Sequence, residues 1–220
     1  MRPKSVDLRL ENCEFREPSQ SADVAICRLL GRVLDVSDAE LCLVQRDACL
    51  ACCRSMRQPE RINPVIASLV YSARADLLFM TGGFPDHHLL AIKPDGRGNV
   101  TNSKIIWRTN KGVAYVPSPL VEGDYLLIVS DSGVAHCFEA ATGKLLWQER
   151  LGDHHASLVS AKGLVYFLND DGVTHIVKPG AAFNLVARNE IGEKCFASPA
   201  ISRGQIFLRG TGSLFCAGAK

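Results

Sequence analysis

The 220-residue chain has 47% hydrophobic and 22% charged residues, the balance of a folded protein with a core of its own. Its net charge of +2 gives no reason to expect a nucleic acid or an anionic membrane as partner. No apolar run reaches the roughly 18–20 residues of a membrane-spanning helix, and the basic start Met1-Arg2-Pro3-Lys4 lacks the apolar stretch of a signal peptide, which points to the cytoplasm.

Composition changes near residue 70. Before it, Lys4 is the only lysine among many arginines and Phe15 is the only aromatic; both tryptophans and all the tyrosines come later. Residues 1–66 read as a small α-helical, cysteine-rich module, and residues 67–220 read as strands. In the first module, residues 1–20 look irregular. Ile26, Leu29, Leu30 and Val33 then recur at helical spacing. Ser37-Asp38-Ala39-Glu40 fits a capping box, with the serine bonding an orphan N–H and the glutamate reaching back. A second helix follows from it to about residue 54, and Pro59 and Pro64 limit any continuation.

Cys13, Cys27, Cys42, Cys49, Cys52 and Cys53 crowd this module, six of the nine cysteines in the chain. A reducing compartment argues against a disulfide framework. Cys49-Leu50-Ala51-Cys52 is a single C-x-x-C, so a metal site needs further ligands. Cys42 would lie about 10 Å along an unbroken helix from Cys49, too far to share one ion. A zinc or iron–sulfur site would therefore draw on Cys49 with Cys52 or Cys53, completed by Cys13 or Cys27. The alternative is a set of buried thiols on an apolar helical face.

The second module alternates short apolar runs with turn residues. The runs are 77–80, 89–92, 105–107, 124–129, 134–138, 145–147, 164–168, 173–177, 184–187, 205–208 and 213–216. Asp131-Ser132-Gly133, Ala141-Thr142-Gly143-Lys144 and Asn169-Asp170-Asp171-Gly172 supply turn chemistry between them. Gly123, Gly163 and Gly204 recur at an interval of about forty residues, as do Gly133, Gly172 and Gly212, and Trp107 and Trp147. The third copy has Ala187 in the tryptophan's place. A period near forty, built of strands, marks propeller blades.

Cys137-Phe138-Glu139-Ala140-Ala141-Thr142-Gly143-Lys144-Leu145-Leu146-Trp147 resembles the tryptophan-docking motif of the PQQ-like, or quinoprotein-type, β-propellers. Cys137 and Glu139 stand where that motif usually has alanine and aspartate. Residues 91–107 are similar with an insertion, and Ser118-Pro119 and Ser198-Pro199 match the family's inter-blade strand. The resemblance implies a mainly β fold: a partial β-propeller of about three and a half four-stranded blades, short of the roughly four to eight of a closed ring. It also implies that Trp107 and Trp147 dock each blade on the next, with Thr142 and Gly143 shaping the receiving turn. The expectation is a truncated or rearranged propeller, a piece of a longer protein; alternatively, a second copy of the chain could complete the ring, or the first module could cap one end.

No catalytic residue emerges. Adjacent pairs such as His87-His88 and His154-His155 point to opposite sides of a strand and chelate poorly. The Asn169–Gly172 oxygens read as a turn rather than a calcium site. Gly82-Gly83 and the Gly96–Gly98 stretch precede no helix and make no phosphate loop. Cys52-Cys53 lies outside the repeat, which argues against PQQ. The expected function is a non-catalytic platform for a protein or polymer ligand. The alternatives are a quinoprotein-type oxidoreductase fragment, or a metal-binding cysteine module with appended blades.

Overall fold

The computed structural model describes residues 66–82, 87–95 and 103–218. The helical cysteine module read from the sequence lies outside these residues. The described residues form four antiparallel sheets, each a meander in which consecutive strands pair. The first sheet holds β1 (Val70–Ser72), β2 (Leu77–Gly82), β3 (His88–Ile92) and β4 (Ile105–Thr109). The second holds β5 (Leu120–Glu122), β6 (Tyr125–Val129), β7 (Val134–Glu139) and β8 (Leu145–Arg150). The third holds β9 (Val159–Ala161), β10 (Leu164–Leu168), β11 (Val173–Val177) and β12 (Leu185–Glu190). The fourth has three described strands, β13 (Ala200–Ser202), β14 (Gln205–Arg209) and β15 (Leu214–Gly218).

The sheets are arranged as blades. The innermost strands neighbour one another in turn, β1 beside β5, β5 beside β9 and β9 beside β13. Hydrophobic runs on the middle strands explain why. A strand projects alternate side chains to opposite faces, so an apolar run needs cover on both. In the second sheet, Leu126, Ile128 and Phe138 pack with Phe79, Leu89 and Ala91 of the first. Their alternates Leu127, Val129 and Cys137 pack with Val165, Phe167 and Val177 of the third. The third junction is smaller, built on Ala156, Leu168, Cys195 and Leu208.

The two ends of the row differ. Leu78, Met80, Leu90 and Ile92 alternate with the residues that meet the second sheet, and all four are buried. On the fourth sheet, Leu214 is 51% exposed and β13 is exposed throughout.

The sequence reading holds for the strands, with corrections at their edges. Runs 164–168 and 173–177 match β10 and β11 residue for residue. The outermost strands run further than read: β8 continues through Gln148, Glu149 and Arg150, because backbone pairing with β7 carries polar side chains along. The inner strand β9 (Val159–Ala161) carries no apolar run and was not read as a strand. The first sheet is a full four-stranded blade, not a partial one.

Candidate protein-binding face

Two kinds of connection tie each blade to the next, one at either end of the strands. At one end sits the tryptophan. Trp107 on β4 lies over the turn of the second sheet, and its Nε1–H donates to the Ala140 carbonyl at 3.0 Å. Trp147 on β8 repeats this one blade on, donating to the Gly180 carbonyl at 3.0 Å. The receiving turn is shaped for the indole. Gly143 N–H donates to Glu139 O at 2.8 Å, and Thr142 Oγ1–H donates to the Glu139 carboxylate. Gly143 has φ +72°, and a Cβ there would stand 2.6 Å from Trp107 Cδ2, so the close approach requires glycine. At the third junction Ala187, opposite Ile176 and buried, gives no such bond. Gly123, Gly163 and Gly204 lie at this same end, in the turns between the first two strands of their sheets, with open space around them.

At the other end, the connection leaving each blade crosses onto the next and is clamped there by a carboxylate. Asp131, in the β6–β7 turn, accepts from Tyr115 N–H at 2.7 Å and Val116 N–H at 3.0 Å. Asp170, in the β10–β11 turn, accepts from His155 N–H at 2.9 Å and pairs with its Nδ1 at 2.8 Å. In the fourth sheet Gly210 takes the position of these aspartates, and the polarity reverses. Glu193 of the incoming loop accepts from Gly212 N–H at 2.9 Å and Ser213 N–H at 3.1 Å. These donors, the Ser213 hydroxyl foremost, hold the Glu193 carboxyl below its ordinary range. Gly133 meets the Gly152 carbonyl so closely that a Cβ would sit 2.0 Å from it.

A serine chain runs beneath these loops. Ser68 N–H donates to Ser118 Oγ at 2.9 Å, Ser118 N–H to Ser157 Oγ at 3.0 Å, and Ser157 N–H to Ser198 Oγ at 2.9 Å. Each serine stands two residues before an inner strand. The Oγ of Ser118, Ser157 and Ser198 each receives the serine N–H from the blade before it.

This bracing presents a ring-bearing side chain at one position of every described junction loop: Tyr115, His155 and Phe196. His155 is exposed, Phe196 is 50% exposed, and their rings meet edge to face at 5.5 Å between centroids. The neighbouring His154 points the other way and is fully buried, its Nε2 without a partner. Burial lowers its affinity for a proton, against the opposing pull of the Gly152 carbonyl and Asp170. His175, opposite Phe167, is pushed down to about 4 by burial, Arg188 and His154. Both rings are built to stay neutral.

The sequence-derived cysteine ligands Cys13, Cys27, Cys49, Cys52 and Cys53 lie outside the described residues. Cys137, Cys195 and Cys216 are buried, in three different sheets or loops, and none is in a disulfide. Burial pushes the Cys137 thiol up to about 12, which keeps it unreactive. In the Asn169–Gly172 turn, Asn169 accepts from Val173 N–H at 2.9 Å and donates to the Leu151 carbonyl at 2.9 Å, which is turn-making. Among the described residues no three His, Cys, Asp or Glu side chains are placed to hold a metal. The sequence reading missed the ring residues. Their signal was a glycine three or four positions before each (Gly112, Gly152, Gly192) and a serine two or three after.

Residues 96–179 match the family described as outer membrane protein assembly factor BamB. No curated protein sequence matches the chain. Among solved structures it is similar to BamB from Moraxella catarrhalis, with 12% identity and a TM-score of 0.55 over 67% of this chain and 44% of that one. A chain in the mitotic checkpoint complex aligns at 12% identity and a TM-score of 0.58, over 72% of this chain and 50% of that one. The computationally designed Ika4 protein aligns at 10% identity and a TM-score of 0.53, over 74% of this chain and 96% of that one. The chain spans about half the length of the first two. The four neighbouring sheets, the docked tryptophans and these matches make the described residues a run of PQQ-like β-propeller repeats.

Proposed function

We propose that the chain is a non-catalytic scaffold that binds a protein partner across the loop end of its blades. One observation carries this reading. At successive junctions the same loop position holds a ring side chain, half-buried at Tyr115 and exposed at His155 and Phe196, on backbone clamped by a carboxylate at the first two. Rigid, partly exposed rings are the side chains that dominate protein interfaces, because they lose little freedom on binding. The likeness to an assembly factor and to a chain of a multi-protein complex agrees with a scaffold.

Photo-reactive side chains placed at 155 and 196 test it, with position 178 at the opposite end as control. The expected result is a discrete adduct from the loop end that excess unlabelled protein competes away. The same adducts from both ends would refute a dedicated binding face.

A further inference from the structure

The two ends of the blades carry opposite charge. Outside the connections 83–87 and 93–104, the loop end holds five carboxylates, Asp131, Asp153, Asp170, Asp171 and Glu193. In the connections Lys111 and Lys194 oppose them, and Arg150, Arg209 and Glu190 close β8, β14 and β12 at the same end. The tryptophan-end connections hold five cations, Arg74, Lys144, Lys162, Lys178 and Arg203, against Asp76 and Asp124, with Glu122 and Glu139 closing β5 and β7 there. Counted with those strand ends, the loop end is net negative and the tryptophan end slightly positive. The loop ends lie together: His154 N–H donates to Asp131 O at 3.0 Å, and Cys195 N–H donates to Asp170 O at 3.0 Å.

Most of the carboxylates are neutralised by no cation. Asp131 and Glu193 accept from neutral N–H and O–H groups, which orient a negative charge without cancelling it. Arg150 pairs with Asp153 at 3.7 Å and the His155 ring with Asp170 at 2.8 Å, while Asp171 is exposed. The rings stand in this negative field, and Phe196 is large, apolar and half exposed. An aromatic surface in a negative field suits cations on a chain that also carries rings.

Resting on the scaffold reading, we propose that the loop end binds an extended, basic segment of a partner protein. The segment lays ring or aliphatic side chains against Tyr115, His155 and Phe196 and its cations toward Asp153 and Asp171. The acidic field speeds encounter and sets the sign of the partner, while the rings set the affinity.

Three fluorescent twelve-residue peptides test this on the full chain, built as repeats of Lys-Pro-Tyr, Glu-Pro-Tyr and Lys-Pro-Ser. Proline keeps each extended. The Lys-Pro-Tyr peptide should bind, with affinity falling as salt rises. The Lys-Pro-Ser peptide should bind about tenfold or more weakly, and Phe196→Ala should cost the Lys-Pro-Tyr peptide a similar factor. Phe196→Tyr should restore binding, and Asp171→Lys should weaken it and flatten the salt dependence. Equal binding of Glu-Pro-Tyr, or indifference to Phe196→Ala and Asp171→Lys together, overturns the proposal. Binding of Glu-Pro-Tyr that Lys178→Glu abolishes would place the scaffold's site at the other end. That result overturns the inference and spares the scaffold reading, whereas binding of none of the three removes both.

Discussion

Replacing Trp147 should separate the second blade from the third. The indole is 8% exposed, packs edge-on against Phe183 at 5.1 Å, and donates to the Gly180 carbonyl at 3.0 Å. It belongs to the cluster that includes Leu127, Cys137, Leu158, Val165 and Phe167. Trp147→Ala leaves a cavity in that cluster and should cost about 3–5 kcal/mol. Trp147→Phe keeps most of the apolar contact but strips Gly180 of its donor. It should cost about 1 kcal/mol for the bond and about 1 kcal/mol more for the lost ring area. Repeat proteins lose stability interface by interface, so the damage should be directional. Hydrogen exchange read by mass spectrometry provides the assay. In Trp147→Ala, β9 to β15 should exchange faster as one unit while β2 and β3 keep their protection. Faster exchange confined to β8, or a change in urea stability below about 1 kcal/mol, would refute the view that this indole joins two blades.

Three other outcomes follow from the same geometry. Gly143→Ala should destabilise by about 2 kcal/mol or more, since it combines positive φ with a Cβ against the Trp107 ring, whereas Gly163→Ala, with open space around it, should cost about 1 kcal/mol; equal costs by urea titration would contradict the docking geometry. Acid should loosen the second junction. His175 and His154 take protons less readily when folded than when unfolded, so their contribution is complete above about pH 6.5. It is lost as pH falls from there toward about 4 for His175. Because the His175 ring is only about half buried, the loss should be about 1–2 kcal/mol rather than the full conversion of the shift. Melting temperatures from pH 7.5 to 4.5 should therefore fall more steeply than in His175→Leu, and parallel curves would refute this. Leu214 is exposed on the fourth sheet, so copies that associate should do so there; Leu214→Lys should reduce self-association in sedimentation velocity, and association unchanged by it would exclude that sheet.

Much of the blade architecture was legible because it depends on local pattern. Gly133, Gly172 and Gly212 mark turns in any context, and an apolar run such as Leu164–Leu168 between two turns has few other solutions. The ring positions of the junction loops were not legible in the same way. Tyr115, His155 and Phe196 are three different residue types, and their spacing is broken by small length changes in the loops. A conserved backbone role in three different side chains leaves no residue pattern to read. The strand β9 escaped for a related reason. Its Val159-Ser160-Ala161 sequence is held by pairing to β10 and by the neighbouring inner strands, not by propensity.

The sequence by itself determined the repeat: its period, its turns, the strands between them, and the tryptophan and glycine positions that recur with it. Those features follow from backbone conformation and hydrophobic alternation within a few residues. Only the tertiary structure decided which groups meet across blades. Asp131 reaches Tyr115 across 16 residues of chain, Trp107 reaches Ala140 across 33, and Ser118 reaches Ser157 across 39. It also decided which connections share an end of the strands, because antiparallel meanders place alternate connections together. The linear sequence keeps the junction loops about forty residues apart; the meander brings them to one end.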